Sequence, residues 1–254
     1  MDRLLHGHWL APSNSMKESD VVRIVERERA SDNWAGWVSQ IGVGTTVDTT
    51  PHGLLTPAGS ATALLDATGP YINYASSALI GNIAGWSAPS VANVRLEWLS
   101  DFMLVMKTGL DISQIRIWNG FQDTTGSPGV NVPNPTGFFG FRYSNVSADT
   151  TGGDDTTWHV IAAAPTGGVA QATTFVDLDT EVTVATDTRY VLHVNRDEFG
   201  DLTYYINGEA VAAIGSANVE LPPVGTALFP RGYFLNGIAS SRSIRLRRWI
   251  LRGN

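Results

Sequence analysis

Along most of the chain, apolar and polar residues alternate in short runs instead of recurring every three or four positions. Period-two patterning of this kind predicts β-strands with one buried face. Apolar-rich runs at residues 94–99 and 102–107 meet at Ser100-Asp101, and further runs follow at 112–118, 138–143, 158–163, 181–185, 190–195, 202–207 and 243–251. Asn207-Gly208 closes one of them with a hairpin signal, because both residues accept the positive backbone angles of a type I′ turn. Loops rich in Gly, Thr, Asp, Asn and Pro separate the runs. The expected fold is all-β: an antiparallel two-sheet sandwich or barrel. No alternation of helix and strand patterns supports a parallel doubly wound sheet, and no internal repeat is visible.

The N-terminal region breaks the pattern. Ser15 and Glu18 have capping-box spacing, and Val21, Val22, Ile24 and Val25 give an apolar side, which predicts a helix over residues 16–30. An apolar arm with Leu4, Leu5, Trp9 and Leu10 precedes it. Such an arm packs back on its own domain or onto a neighbour. The expected organisation is an anchoring arm and helix at residues 1–33, followed by a sandwich domain at 34–254. Two long polar loops, 122–136 and 144–157, flank the aromatic run at 138–143. Loops of that length in a compact domain usually carry function.

Composition narrows the classes. A chain of 254 residues can bury a full core without a metal or a disulfide. Charged residues make up only 16%, and apolar residues 43%, which excludes a disordered chain. The net charge of −7 argues against a nucleic-acid partner. Lys17 and Lys107 are the only lysines; the other basic residues are arginines, which suit planar contacts at interfaces. The absence of cysteine removes disulfides, thiolate metal ligands and thiol catalysis. The first ten residues lack the apolar run of a signal peptide. The longest charge-free stretch, 67–94, is broken by Gly, Pro, Ser and Asn, so it does not suit a membrane span. A soluble chain made without a cleaved signal is expected.

From residue 35 to 252 the chain resembles the concanavalin A-like lectin/glucanase superfamily, in the version found in bacteriophage structural proteins. The motifs that carry the resemblance are Ile117-Trp118-Asn119-Gly120-Phe121-Gln122-Asp123, the aromatic run from Gly137 to Tyr143, and Asp155-Thr156-Thr157-Trp158-His159-Val160. The paired strands from Thr188 to Val194 and from Gly200 to Glu209 continue the order, and His52-Gly53 resembles an early element that has lost its proline. The resemblance implies an antiparallel jelly roll of two curved sheets, here preceded by the short N-terminal arm and helix read above. It also implies a virion protein of a tailed bacteriophage, exposed as a head decoration or a tail or fibre component, made in the host cytoplasm and partnered by other virion proteins and by copies of itself. The alternative is a glycan-binding module that meets a host surface sugar, and more remotely a glycoside hydrolase. Fold alone does not settle activity.

Candidate chemistry is sparse. Asp177-Leu178-Asp179-Thr180-Glu181 resembles the E-x-D-x-E strand of laminarinase-like glucanases, where outer carboxylates act as nucleophile and acid/base. Here the first acid is shorter, and Tyr190 follows within nine residues of Glu181. The three acids therefore read as a solvated turn, and no catalytic residue is expected. His6 and His8 sit in the arm, and His159 and His193 lie in strand runs as ordinary sheet residues. No cofactor is expected, although Asp149, Asp154 and Asp155 are the acids that would hold a calcium ion. No G-x-S-x-G is present, and Gly42-Val43-Gly44 does not continue as a phosphate loop. For a sugar, flat aromatic faces beside fixed polar groups are needed. Trp118 and Trp158, with Asn119 and Asp123, are the candidates, set against a plain core role for both tryptophans. In the last run, alternation puts Arg245, Arg247 and Trp249 on one face and Ile244, Leu246, Arg248 and Ile250 on the other. The Arg245–Arg247 face is a candidate interface toward an acidic neighbour, or a solvated strand face.

Overall fold

Strands form where the alternation is cleanest. In β9 (Phe138–Ser144), Phe139, Phe141 and Tyr143 enter one apolar cluster, while Phe138 enters another on the opposite face. The same two-sided use of residues recurs through the molecule. The computed structural model describes residues 35–40, 53–55, 60–66, 69–87, 94–124, 126–146, 155–166 and 170–253. The expected arm and helix at 1–33, with Leu4, Leu5, Trp9 and Leu10, lie outside the described residues. Among the described residues, no helix is long and apolar enough to cross a membrane.

The remaining elements are β1 (Ala35–Gln40), β2 (Gly53–Leu55), β3 (Ser60–Asp66), β4 (Gly69–Ala75), β5 (Ile83–Ser87), β6 (Val94–Arg95) and a 3-10 turn (Leu96–Trp98). They continue with β7 (Leu99–Thr108), β8 (Ile115–Gln122), β10 (Thr157–Ala162), β11 (Val176–Thr183), β12 (Arg189–Arg196) and β13 (Leu202–Ile206). The last are β14 (Glu209–Ile214), β15 (Ala227–Asn236) and β16 (Ser243–Gly253). The first sheet runs β14-β13-β12-β7-β16-β4-β3, with β1 beside β16. The second runs β11-β10-β9-β8-β15-β5-β2, with β6 beside β15. All pairings between the strands are antiparallel. The architecture is the expected all-β jelly roll.

The core fills the space between the sheets. Phe102, Leu104 and Met106 from β7 meet Ile117 and Phe121 from β8 and Phe141 from β9. Phe121 packs edge-on against Phe102 at 4.8 Å and stacks on Phe139 at 4.9 Å. Trp86 stacks on Trp249 at 5.0 Å between ring centroids, which ties β5 to β16 across the layers. Gly232 makes room for that stack: a Cβ there would lie 2.2 Å from Trp86 Nε1. The Asn207-Gly208 turn forms as expected, with φ of 54° and 89°, and the Asn207 side chain accepts the Val191 N–H at 2.9 Å.

Four sequence expectations need correction. The two runs around Ser100-Asp101 are one strand, β7, entered from the 3-10 turn. Asp101 does not turn the chain; it faces outward and bonds His193 and Asn195. The acids from Asp177 to Glu181 lie within β11 and not in a turn; all three are exposed, with Asp177 bonded to His159 and Asp179 to Thr157 on β10. In β16, Leu246 opposes Met106 and Arg248 opposes Val105, so Arg247 is an extra residue in a β-bulge. The bulge switches the phase of the strand. Trp249 and Leu251 therefore join Ile244 and Leu246 in the core, and Trp249 does not share the Arg245–Arg247 face. Finally, β1 to β5, β14 and β15 were not read as runs from the pattern.

Candidate functional site

The outer face of the second sheet is where this fold concentrates its unusual side chains. Strands β8, β9 and β15 read Ile-Arg-Ile-Trp-Asn-Gly-Phe-Gln, Phe-Phe-Gly-Phe-Arg-Tyr-Ser and Ala-Leu-Phe-Pro-Arg-Gly-Tyr-Phe-Leu-Asn. Each carries one arginine among aromatic and aliphatic residues. Alternation turns Arg116, Arg142 and Arg231 away from the main core, yet each is 0% exposed. Trp118, Tyr233, Phe138, Ile161, Ile83 and Leu235 form a second apolar cluster beside them.

The cover is the loop between β8 and β9. Arg231 donates to the carbonyls of Thr124 and Gly126 and to Gln122 Oε1. Arg116 donates to the Val130 carbonyl at 2.9 Å, and Trp118 Nε1 to the Pro133 carbonyl at 3.0 Å. Arg142 donates to Asn134 Oδ1. The loop is thus strapped across the sheet by side chains rising from three neighbouring strands. Arg116 also lies over the Trp118 ring at 5.2 Å and Arg231 over Tyr233 at 4.5 Å, a cation–π arrangement that suits a desolvated guanidinium. Burial lowers the Arg116 pKa to about 9, with help from the Arg142 charge, and burial lowers Arg231 as well.

Toward the β11 edge the partners become charged. Asp155 takes Arg142 Nε and Nη2 on its two oxygens, both at 3.2 Å, and accepts the Ser144 N–H at 2.8 Å. Asp177 Oδ2 lies 3.1 Å from Arg142 Nη1. His159 stands between the acids: Nδ1 is 2.6 Å from Asp177 and Nε2 is 3.5 Å from Asp155. Burial pushes Asp155 up, against the pull of Arg142 and His159. For Asp177, burial is outweighed by the His159 hydrogen bond and the Arg142 charge, so its pKa falls. For His159, burial is outweighed by Asp177 and Asp155, so its pKa rises. Asp179 accepts from Thr157 Oγ1 at 2.7 Å and from the Glu181 N–H at 2.8 Å. Glu181 has φ of 60° in the left-handed region.

The expected sugar platform is not assembled. Trp118 lies under the strap and Trp158 in the main core, both 0% exposed, so neither offers a ring face to a ligand. Asn119 points inward, its amide donating to Met106 Sδ at 3.1 Å. Asp123 sits at the strand end, where burial raises its pKa. Asp149 and Asp154 lie outside the described residues, and the Asp155 oxygens face Arg142. Arg245 bonds Asp187 at 2.7 Å, as does Lys107 at 3.0 Å. Among the described residues, the surface aromatics that the sequence reading passed over are Phe199, 76% exposed, and Trp98 in the 3-10 turn, 44% exposed with Arg95 over its ring at 4.7 Å.

No protein-family model matches the chain, and no curated protein matches it in sequence. Solved structures do match. The carbohydrate recognition domain of Emp47p superposes with a TM-score of 0.53 at 10% identity, covering 88% of this chain and 96% of that one. A family 16 glycoside hydrolase from a mixed-linkage glucan locus of Bacteroides ovatus gives 0.52 at 8% identity, covering 85% and 93%. A carbohydrate esterase from the Shiga toxin-encoding bacteriophage phi24B gives 0.51 at 13% identity, covering 86% and 100%. The chain has the concanavalin A-like jelly-roll fold. At such low identities this likeness concerns architecture, and function has to be argued from the side chains.

Proposed function

We propose that this chain is a non-enzymatic structural protein of a tailed bacteriophage, exposed on the particle as a head decoration or as a tail or fibre component. It would be made in the host cytoplasm and meet other virion proteins and copies of itself. The observation that carries the non-enzymatic half is the strap. Three buried arginines and Trp118 fasten the β8–β9 loop over the outer face of the second sheet, so that face is covered by the chain itself. The acids on β11 support the same reading, since Asp177 is engaged by Arg142 and His159, and Asp179 by Thr157. Hydrolysis needs one carboxyl kept protonated beside a second, free carboxylate; here the acid that burial pushes up, Asp155, has both oxygens on Arg142, and Asp177 is held down by His159 and Arg142. The virion half rests on the order of motifs from residue 117 to 209, and a phage-encoded chain with this fold is consistent with it.

Antibody against the purified chain, applied to intact particles released by the producing cells, is expected to label the particle surface. Absence of the chain from particle peptide maps would overturn the virion reading. Incubation with mixed-linkage and laminarin-type β-glucans is expected to release no sugar. Release that disappears in the Asp177→Asn, Asp179→Asn, Glu181→Gln variant would overturn the non-enzymatic half. A second reading, glycan binding without hydrolysis, is favoured by the likeness to a carbohydrate recognition domain. Saturable retention on a glycan array would select it.

A further inference from the structure

Both outer faces of the sandwich are buried, but their covers differ. Over the second sheet the cover is the β8–β9 loop. On the first sheet, Phe102, Leu104 and Met106 of β7 enter the main core, so alternation turns Met103, Val105 and Lys107 outward. Val191 and His193 of β12, Tyr205 of β13 and Tyr71 of β4 face the same way, since Leu192, Tyr204 and Ile72 lie in the core. None of these outward residues belongs to either apolar cluster described above. Yet Val105 is 0% exposed, Tyr71 1%, Met103 2% and Val191 5%. A bare sheet face would leave such side chains in contact with water.

Among the described residues, a loop side chain reaches this face at its margin, where Asp187 meets Lys107 at 3.0 Å and Arg245 at 2.7 Å. The polar groups Asp101, Lys107, Arg189, His193 and Arg245 all have partners, so the face is closed and not an open binding groove. The burial is that of one chain alone, so the cover belongs to the same chain. Topology selects the part. Of the stretches outside the described residues, 41–52, 88–93 and 147–154 each have at least one end in the second sheet. The other internal stretches are four residues or shorter. Residues 1–34 remain, and they lead into β1, whose Ala35 lies opposite Gly253 of β16 in the first sheet. From β4 to β13 is four strand spacings, about 19 Å. A helix over residues 16–30, which the sequence pattern predicts, would be about 22 Å long. Its apolar side, Val21, Val22, Ile24 and Val25, suits a face of Met, Val and Tyr.

We infer that residues 1–34 fold back over the outer face of the first sheet of their own chain, with the apolar side at Val21–Val25 against Met103, Val105 and Val191. The segment makes a third layer on the sandwich. While it is in place, that face is withheld from any glycan or neighbouring chain. The inference goes beyond the structural-protein reading and does not depend on it.

The test uses two methionines of one strand. Met103 lies under the inferred cover and Met106 in the core, three residues apart on β7. The purified full chain is treated with peroxide, and sulfoxide formation at each is followed by peptide mass mapping. In the wild-type chain both are expected to resist, and Met103 is expected to resist equally at every protein concentration, because its cover is intramolecular. In the variant Val21→Asp, Val25→Asp, Met103 is expected to oxidise about tenfold faster or more, with Met106 unchanged. Resistance at Met106 shows that the sandwich still stands; if it is lost, Val21→Ser, Val25→Ser replaces the variant, with a smaller rise at Met103 expected. Free oxidation of Met103 in the wild-type chain, protection that falls on dilution, or protection that survives the substitutions overturns the inference. None of these outcomes involves a particle, so the virion reading fails or stands separately.

Discussion

Arg231 and Arg142 stand on the same face of the same sheet and are both wholly buried, yet they are held by opposite kinds of partner. Arg231 is held by Gln122 and by loop carbonyls, with the Tyr233 ring beneath it. Arg142 is held by two carboxylates and an asparagine. The first arrangement fastens a loop with partners that do not titrate. The second ties together β9, β10 and β11 with partners that do. One sheet face therefore carries a half fastened by acceptors that do not titrate and a half whose acceptors do, divided at about the line of β9.

The comparison is broken most severely at Arg142. Arg142→Leu leaves Asp155 buried without its counter-charge, and a loss of about 3–5 kcal/mol is expected in denaturant melts. A loss under about 1 kcal/mol would show that solvent reaches Asp155 more freely than its burial implies. Arg231→Met removes donors without stranding a charge, so a smaller loss of about 2–3 kcal/mol is expected. Here the diagnostic is local: limited proteolysis should cut between residues 124 and 137 in this variant before the sandwich melts. Trp118→Phe keeps most of the ring but drops the bond to Pro133, and about 1–2 kcal/mol is expected.

The smallest effect concerns pH. The folded pKa of His159 lies above its ordinary 6.5, so its contribution is fully present below pH 6.5 and is lost as pH rises through the folded value. Asp177, with its pKa lowered, contributes above pH 3.8 and loses that contribution as pH falls through its folded value. Asp155 has the opposite shift, so its ionisation weakens the fold as pH rises past 3.8. Between pH 6 and 8.5 the melting temperature of the wild-type chain should therefore decline, and in His159→Gln that decline should shrink. An equal decline in both would move the sensitivity to another group. Arg231→Met should leave the pH profile unchanged in shape, which is the sharpest contrast between the two halves.

Much of the sandwich was legible in local pattern. The aromatic run of β9, the paired β12 and β13, and the Asn207-Gly208 turn all announce themselves through alternation and turn chemistry. β15 did not, because Pro230 and Gly232 look like breakers. In place, Pro230 lies within the strand, opposite Phe121 of β8. The site was less legible. A tryptophan near a strand end looks the same in sequence whether a loop covers it or leaves it open. The signal that distinguishes them was the lone arginine in each of three apolar strands, which requires acceptors from some other segment. Nor can alternation see a bulge, since one extra residue at Arg247 reverses the facing of everything after it.

The pairing of β1 with β16 has a mechanical consequence. Ala35 lies opposite Gly253, and the two strands run antiparallel from that point to Gln40 and Arg248. A pull applied at Ala35 against Gly253 would load the ladder one rung at a time, so β1 would peel away under low force. The same pull applied between Gln40 and Gly253 would load the rungs together in shear, and the strand would hold until most of them failed at once. Where a chain of this fold is gripped would then decide whether it gives way gradually or resists as a clamp.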